Sequence, residues 1–205
     1  MNDMQDKIDH AIELQKEEKY EEALEILNRL YSNQPSSTLV KSTLIEVLFE
    51  YGAYLIDDWV EDFEGAATCF TKIIELDPQQ YRAWYNLGIS YFRLKDTKKS
   101  LEAYQQALKI KPDYEYVYYN LGLLHEILNE DFENAIRNYE KALKLNENFT
   151  YALHALRDVR KKLEHKKLHE EESITSKSEL EIICKNCGNI NRATAKYCDK
   201  CGKPI

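Results

Sequence analysis

The chain has 205 residues, of which 43% are hydrophobic and 31% charged, and its formal net charge is −8. This is the composition of a water-soluble globular protein rich in helix-forming residues. The N-terminal stretch MNDMQDKIDH is polar, and no apolar run approaches the roughly 20 residues that a membrane-spanning helix needs. We therefore expect a cytoplasmic protein with no signal peptide and no membrane partner.

The charge divides the chain into an acidic body and a basic C-terminal segment. Residues 184–205 carry five basic side chains and one acid, a net charge of +4, whereas the other 183 residues carry 23 basic and 35 acidic side chains, a net charge of −12. Binding to phosphate groups requires a basic surface. The body is therefore not expected to bind nucleic acid, and the two segments are expected to be separate units.

The first part of the chain predicts two helical hairpins. Apolar residues recur there at helical spacing, and a proline ends each pair because it cannot continue a helix. Pro35 and Pro78 lie 43 residues apart, so the second hairpin carries an insertion around residues 53–62. The insertion leaves open two alignments of that hairpin's first helix, seven residues apart, which bury the same face. The aligned residues are Ala11, Leu14, Ala23 and Leu27 in the first hairpin and Ala66, Phe70 and Ile73 in the second.

Two further hairpins follow, and they share a sequence motif. AWYNLGISYFRL at 83–94 is matched by VYYNLGLLHEIL at 117–128, and each residue of the first stretch lies 34 residues before its counterpart in the second. The fourth hairpin has one extra residue near 129–131, and Glu147 stands where the third has Pro112. The aligned residues are Trp84, Leu87, Gly88, Tyr91, Ser100 and Tyr104 in the third hairpin and Tyr118, Leu121, Gly122, Ala135, Tyr139 and Ala142 in the fourth.

This pattern resembles the tetratricopeptide repeat (TPR) family, in which Trp-x2-Leu-Gly-x2-Tyr, Ala-x3-Phe and a proline recur over about 34 residues. The resemblance implies an all-α fold, a right-handed superhelical solenoid of four hairpins over residues 1–147. The alternative is a plain helical bundle with coincidental similarity, which two adjacent matching copies disfavour.

After the repeats, the sequence predicts a helix that caps the array and then a linker. Stacked repeats need a terminal helix with a polar outer face, and residues 148–169 place charge opposite one apolar stripe. Residues 170–183 contain few core-forming side chains, so we expect a flexible linker there. The predicted stripe consists of Phe149, Leu153, Leu156 and Leu163.

The resemblance also implies that the first helix of each hairpin lines a concave groove that binds a peptide. Asn86 and Asn120 lie one repeat apart there, and an asparagine amide both donates and accepts hydrogen bonds. In the family, an asparagine at this place often holds the backbone of a bound peptide; a hydrogen bond to a neighbouring helix is an equally open role. The expected groove residues are Phe49 in the second hairpin, Tyr85, Asn86, Ile89 and Arg93 in the third, and Tyr119, Asn120, Leu123 and Ile127 in the fourth.

The expected ligand is an apolar or amphipathic segment of a partner protein. Chaperone-binding members of the family hold a carboxylate terminus with Lys and Arg on their first helices, and this chain has apolar residues at those places. We therefore do not predict binding to a heat-shock chaperone. The positions concerned are Ile8, Ile12, Phe49, Ala53, Tyr85 and Ile89.

The basic segment contains two C-x2-C pairs, Cys184 with Cys187 and Cys198 with Cys201, separated by ten residues. Four thiolates in tetrahedral array form a closed structural zinc site, so we expect one zinc ion, with iron as the alternative. The segment resembles the short zinc ribbons of many archaeal and bacterial proteins. We assign residues 184–205 to it, with a β-hairpin at 189–197.

No catalytic arrangement is evident, so we predict a protein that is not an enzyme. All six glycines fall in the predicted helices or beside the cysteine pairs, which leaves none for a phosphate-binding loop. A zinc ion with four cysteine ligands has no open position for water. The predicted function is that of an adaptor or scaffold. The alternative is a nucleic-acid-associated factor whose basic ribbon touches RNA or DNA, although Tyr197 is the ribbon's only aromatic residue for base stacking.

Overall fold

A computed structural model describes residues 2–128, 130–179, 181–192 and 195–205. The chain divides into two units, Met1–Leu153 and His154–Ile205. None of the described helices combines the length and the apolar character needed to cross a membrane.

The first unit is built from four pairs of helices, and a ninth helix begins at its end. Neighbouring helices within the four pairs pack against each other in chain order, as expected for stacked hairpins. The helices are α1 (Asn2–Lys16), α2 (Tyr20–Asn33), α3 (Thr38–Ile56), α4 (Phe63–Leu76), α5 (Tyr81–Arg93), α6 (Thr97–Ile110), α7 (Glu115–Leu128), α8 (Phe132–Leu145) and α9 (Thr150–Glu179).

The first helices of the hairpins lie beside one another. Helix α1 contacts α3, α3 contacts α5, and α5 contacts α7, whereas the second helices make no comparable contacts with each other in the described part of the chain. Because the first helices contact one another and the second helices make no comparable contacts among the described residues, the first helices form an inner layer and the second helices an outer layer. We call the surface formed by α1, α3, α5 and α7 the inner face.

A glycine on the first helix packs against an aromatic ring on the second in three of the hairpins. A Cβ atom added to Gly88 would lie 2.4 Å from the ring of Tyr104, and one added to Gly122 would lie 2.3 Å from Tyr139. Gly52 stands in the same relation to Phe70, at 2.8 Å. These distances are below van der Waals contact, so only glycine allows the helices to approach this closely.

The Gly52 contact also settles the alignment that the insertion left open. Because Gly52 takes the place of Gly88 and Gly122, seven of the nine additional residues lie before it and two lie after it. Most of the predicted insertion around residues 53–62 therefore belongs instead to the first part of α3, which has 19 residues where α5 has 13. The connection between α3 and α4 comprises residues 57–62, whereas α5 and α6 are joined by residues 94–96. The predicted all-α fold of repeated helix hairpins is confirmed.

The first residue of the motif serves the same purpose in both matching copies. The indole N–H of Trp84 donates to the carbonyl oxygen of Pro78 at 3.0 Å, and the hydroxyl of Tyr118 donates to that of Pro112 at 2.9 Å. Each bond ties the start of a first helix to the turn before it. A tyrosine can therefore replace the tryptophan at this position and keep the bond.

The predicted stripe of the capping helix is partly wrong. Leu153 is 53% exposed, whereas Ala152 and Val159 are completely buried, so the buried positions follow spacings of three and four residues from Phe149. Leu163 is half-buried. The residues that are buried are Phe149, Ala152, Leu156 and Val159.

The flexible linker predicted at 170–183 is also corrected. Helix α9 continues to Glu179, because residues 170–179 contain no proline or glycine and include glutamate and lysine, which favour helix. Leu180 lies outside the described residues. Strand β1, Glu181–Ile183, follows, so the ribbon begins before the predicted boundary at 184.

The β-hairpin of the ribbon differs from the predicted one at 189–197. Strand β1 pairs antiparallel with β2, Ile190–Arg192, with Ile183 opposite Ile190. The first cysteine pair therefore lies in the turn of this hairpin. Two residues of the predicted range, 193 and 194, lie outside the described residues.

Candidate peptide-binding surface and metal centre

An aromatic cluster lies at the inner face where the third and fourth hairpins meet the start of α9. The ring of Tyr85 is 5.1 Å from that of Tyr114, and the ring of Phe149 is 5.1 Å from Tyr116 and 5.2 Å from Tyr119. Ring pairs at these distances are attractive beyond the area they bury. We define the inner aromatic cluster as Tyr81, Tyr85, Tyr114, Tyr116, Tyr119, Phe149 and Tyr151, which form a continuous series of ring contacts.

Part of this cluster is open to solvent. Tyr116 is 43% exposed and Tyr151 is 72% exposed, whereas Phe149 is buried beneath them. The cluster therefore has a packed base and an accessible upper surface. Tyr114, Tyr116, Phe149 and Tyr151 were not among the predicted groove residues, because they lie before or at the start of α7 and α9 rather than on the repeated stripe.

Asn120 is joined to its neighbours by two hydrogen bonds. Its amide nitrogen donates to the hydroxyl oxygen of Tyr85 on α5 at 3.1 Å and to the carbonyl oxygen of Tyr116 at 2.9 Å. Its amide oxygen accepts no hydrogen bond from the described residues, and the Tyr85 hydroxyl has no acceptor among them. An unused acceptor and an unused donor therefore lie side by side.

Asn86, one repeat earlier, is different. Its side chain makes no hydrogen bond with the described residues, and it is half-buried. The corresponding bond to the preceding hairpin is absent because Phe49, which stands where the next hairpin has Tyr85, carries no hydroxyl group. Phe49 packs edge-on against Phe70 instead, with 5.6 Å between the ring centres.

Burial raises the pKa of two tyrosines of the inner aromatic cluster. Desolvation is the largest cause that raises the pKa of Tyr85 and of Tyr119 above the ordinary value for tyrosine, and neighbouring tyrosines raise it further. At neutral pH these hydroxyl groups therefore remain hydrogen-bond donors as well as acceptors.

The structure places the other predicted groove residues in three different settings. Ile89 and Leu123 are half-buried on α5 and α7, and Ile127 is 58% exposed. Arg93 is engaged elsewhere: its guanidinium donates to Asp58 at 3.3 Å and to Glu61 at 2.9 Å, both in the connection between α3 and α4. Arg93 therefore holds a loop of its own chain.

The second unit brings the four predicted cysteines together. Their Sγ atoms all lie within 4.8 Å of one another, and Cys184 is 3.6 Å from Cys201, as Cys187 is from Cys198. A tetrahedron with metal–sulfur bonds of about 2.3 Å has edges of about 3.8 Å. The observed distances fit that tetrahedron and are too long for disulfide bonds.

The two cysteine pairs have the same local geometry. The N–H of Gly188 donates to the carbonyl of Cys184 at 2.8 Å, and that of Gly202 donates to the carbonyl of Cys198 at 2.8 Å. Both glycines have left-handed backbone angles, with φ of 72° and 68°, which other residues rarely adopt. The backbone N–H of Lys203 lowers the pKa of the Cys201 thiol, which favours the thiolate that a metal requires.

Asn191 connects the two halves of the ribbon and was missed by the sequence analysis. It is only 3% exposed. Its amide oxygen accepts from the N–H of Asp199 at 2.9 Å, and its amide nitrogen donates to the carbonyl of Asn189 at 2.8 Å. Asp199 lies inside the second cysteine pair, so Asn191 fixes that pair relative to β2. An asparagine between cysteine pairs gives no signal of this role in one sequence.

These two arrangements, stacked helical hairpins and a four-cysteine ribbon, define a repeat protein with a metal-binding appendage. Residues 81–114 and residues 116–149 each match the tetratricopeptide repeat family, and residues 183–205 match the zinc-ribbon domain. The chain therefore contains two tetratricopeptide repeats and a C-terminal zinc ribbon, which confirms the resemblance. The division of residues 1–147 into four repeats stays a prediction.

Curated relatives share the repeat region. The chain is 27% identical over 147 residues to anaphase-promoting complex subunit 3 of Schizosaccharomyces pombe, which covers 70% of this chain and 20% of that protein. It is 31% identical over 126 residues to protein O-mannosyl-transferase TMTC3 of Homo sapiens, which covers 57% of this chain and 13% of that protein. The chain thus spans a fifth or less of the length of these relatives. Because one of them is named a transferase, the absence of enzymatic activity stays a prediction.

Solved structures show the same fold. The first TPR domain of Spaghetti (RPAP3) bound to the HSP90 peptide SRMEEVD is 26% identical, with a TM-score of 0.53, over 58% of this chain and 92% of that one. The crystal structure of MamA is 23% identical, with a TM-score of 0.57, over 81% of this chain and 96% of that one. The likeness to MamA concerns the fold alone.

Proposed function

We propose that this chain is a non-enzymatic adaptor whose inner face binds an apolar or amphipathic segment of a partner protein. The observation that carries the proposal is the inner aromatic cluster, with its buried base and exposed Tyr116 and Tyr151. Tyrosine is enriched at the energetic centres of protein interfaces because it offers apolar area and a polar group with little loss of conformational freedom.

The hydrogen-bonding groups beside the cluster match a peptide backbone. The unused oxygen of Asn120 would accept from a peptide N–H, and the Tyr85 hydroxyl would donate to a peptide C=O. The bond between Asn120 and Tyr85 fixes both groups at 3.1 Å, so no side chain needs to be ordered when the ligand binds.

The proposed ligand is apolar rather than an acidic terminus of the kind named for RPAP3. At the positions where chaperone-binding members carry cations, this chain has Ile8, which is 1% exposed, and the aromatic Phe49 and Tyr85. An acidic peptide would therefore meet a body with a net charge of −12 and no compensating cation at those positions.

For the second unit, we propose that the four cysteines hold one structural zinc ion and that the ribbon serves as a second docking or stabilising module. Four thiolates and no water leave the ion closed to substrates. Metal analysis of the purified full chain should give one zinc per chain. One iron, or no bound metal, would contradict this assignment.

The test of the inner face compares partner capture by the full chain with capture by the variant that combines Asn120→Ala with Tyr151→Ala. Because Tyr151 is exposed and Asn120 lies at the surface of the cluster, helical circular dichroism should be unchanged. Affinity for the captured partner should fall at least about tenfold.

The control removes an amide and an exposed tyrosine elsewhere, in Asn28→Ala with Tyr54→Ala. This control should bind the partner as the native chain does. Equal affinity for the two double variants would remove the inner aromatic cluster from the proposed function.

A further inference from the structure

Trp59 has the largest exposed fraction, 95%, among the large hydrophobic side chains of the described residues. It lies in the connection between α3 and α4, residues 57–62, which we call the Trp59 loop. Covering an exposed indole with a partner is favourable because apolar surface leaves water. Tryptophan is also among the residues most enriched at the energetic centres of interfaces. Single exposed hydrophobic residues are common, but the loop that carries Trp59 is held by several hydrogen bonds.

The backbone of the Trp59 loop is tightly bonded around Asp57. The N–H of Trp59 donates to the Asp57 carboxylate at 3.1 Å. The N–H groups of Val60 and Glu61 both donate to the Asp57 carbonyl at 3.0 Å. Glu61 turns the chain with a left-handed φ of 52°. The indole is therefore displayed from a closed turn.

Arg93 anchors the same loop from the end of α5. Besides its bonds to Asp58 and Glu61, its guanidinium lies 4.4 Å from the centre of the Phe63 ring. One exposed ion pair contributes little, but a planar guanidinium that bonds two carboxylates and stacks on a ring restricts all three groups. Arg93 thus fixes the loop that presents Trp59, which lowers the entropy cost of binding.

The charge around Trp59 indicates what covers it. Residues 57–64 contain five acidic side chains and no basic one, and Arg93 pairs with two of the five, Asp58 and Glu61. Interfaces place apolar groups at the centre and complementary charges at the edge. We propose that the Trp59 loop is a docking site for a cationic amphipathic segment of another protein. Apolar side chains of that segment cover Trp59, and its lysines or arginines face the acidic residues of the loop.

This site is separate from the inner aromatic cluster, and so is its test. The chain contains two tryptophans, and Trp84→Tyr leaves Trp59 as the only one. Tyr118 already makes the equivalent bond in the next repeat, so this substitution should preserve the fold. Trp59 fluorescence then reports directly on the proposed site.

The probe is a short synthetic helix of leucine and lysine, added to the full chain with Trp84→Tyr. Its binding should shift Trp59 emission to shorter wavelength with saturation, whereas the same peptide with glutamate in place of lysine should cause no shift. In the native background, Trp59→Ala should weaken binding of the lysine peptide at least about tenfold. The control Leu145→Ala, which removes another exposed hydrophobic side chain, should leave it unchanged.

A charge-matched pair of variants separates docking from general attraction. Arg93→Gln makes the chain more acidic, so unspecific binding of a cationic peptide would strengthen. The proposal requires the opposite: peptide affinity falls several-fold, and Trp59 anisotropy falls because the loop is released. Arg29→Gln, with the same change in charge on α2, should not weaken binding.

Three results would overturn the proposal. The first is a lysine peptide that binds the native chain and Trp59→Ala equally, or fails to shift Trp59 emission. The second is an equal shift with the glutamate peptide. The third is a shift that grows with protein concentration in the absence of peptide, which would show that a second copy of the chain covers Trp59.

Discussion

The repeat unit and the zinc ribbon are stabilised by different interactions. In the repeat unit, large side chains such as Phe70, Tyr104 and Tyr139 are completely buried. In the ribbon, among the residues described from 182 onward, the buried ones are Cys184, Cys198 and Asn191. Its hydrophobic residues Ile183 and Ile190 are 63% and 59% exposed. The ribbon thus buries two of its clustered cysteines and one amide, whereas the repeats bury a hydrophobic core. A segment this short needs a metal for its folding free energy.

Metal removal gives the largest expected difference between the two units. Structural zinc contributes about 10–16 kcal/mol of apparent free energy in small zinc peptides, so a chelator, or Cys198→Ser, should unfold the ribbon. The repeats should keep their helical circular dichroism and their thermal midpoint. Nuclear magnetic resonance spectra should show loss of dispersed signals from the ribbon, including the β1–β2 hairpin, and not from the repeats.

The matched control for this prediction is Cys69→Ser, which changes a buried cysteine of the repeat unit. It should leave metal content unchanged and lower the stability of the repeats. If chelation removed most of the helical signal, the two units would not be stabilised independently.

High pH should lower the stability of the repeats rather than that of the ribbon. Burial is the largest cause that raises the pKa of Tyr85, Tyr104 and Tyr139 above the ordinary value of about 10. Below pH 10 these residues are neutral in the folded and unfolded chains, so their burial costs nothing extra. Above pH about 10 only the unfolded chain ionises, and each fully buried tyrosine should lower stability by about 1.4 kcal/mol per pH unit.

Urea titrations at pH 9 and above pH 10 would measure this effect. In Tyr139→Phe, the decrease in the free energy of unfolding with pH should be smaller. A free energy of unfolding that stays constant through this range would show that the buried tyrosines ionise as readily in the folded chain as in the unfolded chain.

A smaller effect is expected from the contact between Gly88 and Tyr104. In Gly88→Ala the new methyl group would lie 2.4 Å from the completely buried ring of Tyr104. Alanine stabilises a helix by about 1 kcal/mol relative to glycine. Overpacking a core, however, typically costs about 1–3 kcal/mol. We expect a net loss of stability of the repeats and no change in zinc affinity.

The combination with Tyr104→Leu tests the cause. In that background the added methyl group has space, so Gly88→Ala should cost less than in the native chain, as measured by a double-mutant cycle. An equal cost in both backgrounds would attribute the effect of the substitution to something other than the ring contact.

The features that sequence predicted best are those that repeat. Gly88 and Gly122 recur because every hairpin meets the same packing requirement, and a period of 34 residues makes that visible. Arg93 was placed in the groove by the same periodicity. Arg93 lies at the predicted position on α5, but its side chain forms ion pairs with Asp58 and Glu61. Both belong to the connection between α3 and α4, which is longer than the connection within each of the other hairpins. A repeat pattern cannot predict contacts with an insertion.

The ribbon shows the same limit. The clustering of its four cysteines was predictable, because thiolate chemistry and the x2 spacing indicate a shared metal site. The position of the hairpin was not, since Ile182 and Ile183 precede the first cysteine and were assigned to a linker by composition. The extension of α9 to Glu179 was missed for a related reason, because few core-forming side chains do not prevent a helix.

Asn191 tests whether the ribbon depends on its amide as well as its metal. In Asn191→Leu, the N–H of Asp199 loses its acceptor and the second cysteine pair loses its connection to β2. Residues that orient metal ligands typically contribute 10-fold to 100-fold in metal affinity. Zinc affinity, measured by competition with a chromophoric chelator, should therefore fall by about that factor. Lys196→Leu alters an exposed side chain of the ribbon, and it should reduce affinity well under tenfold. An equal loss in both variants would mean that Asn191 has no special positioning role, and that the four thiolates alone determine how tightly the ribbon holds its ion.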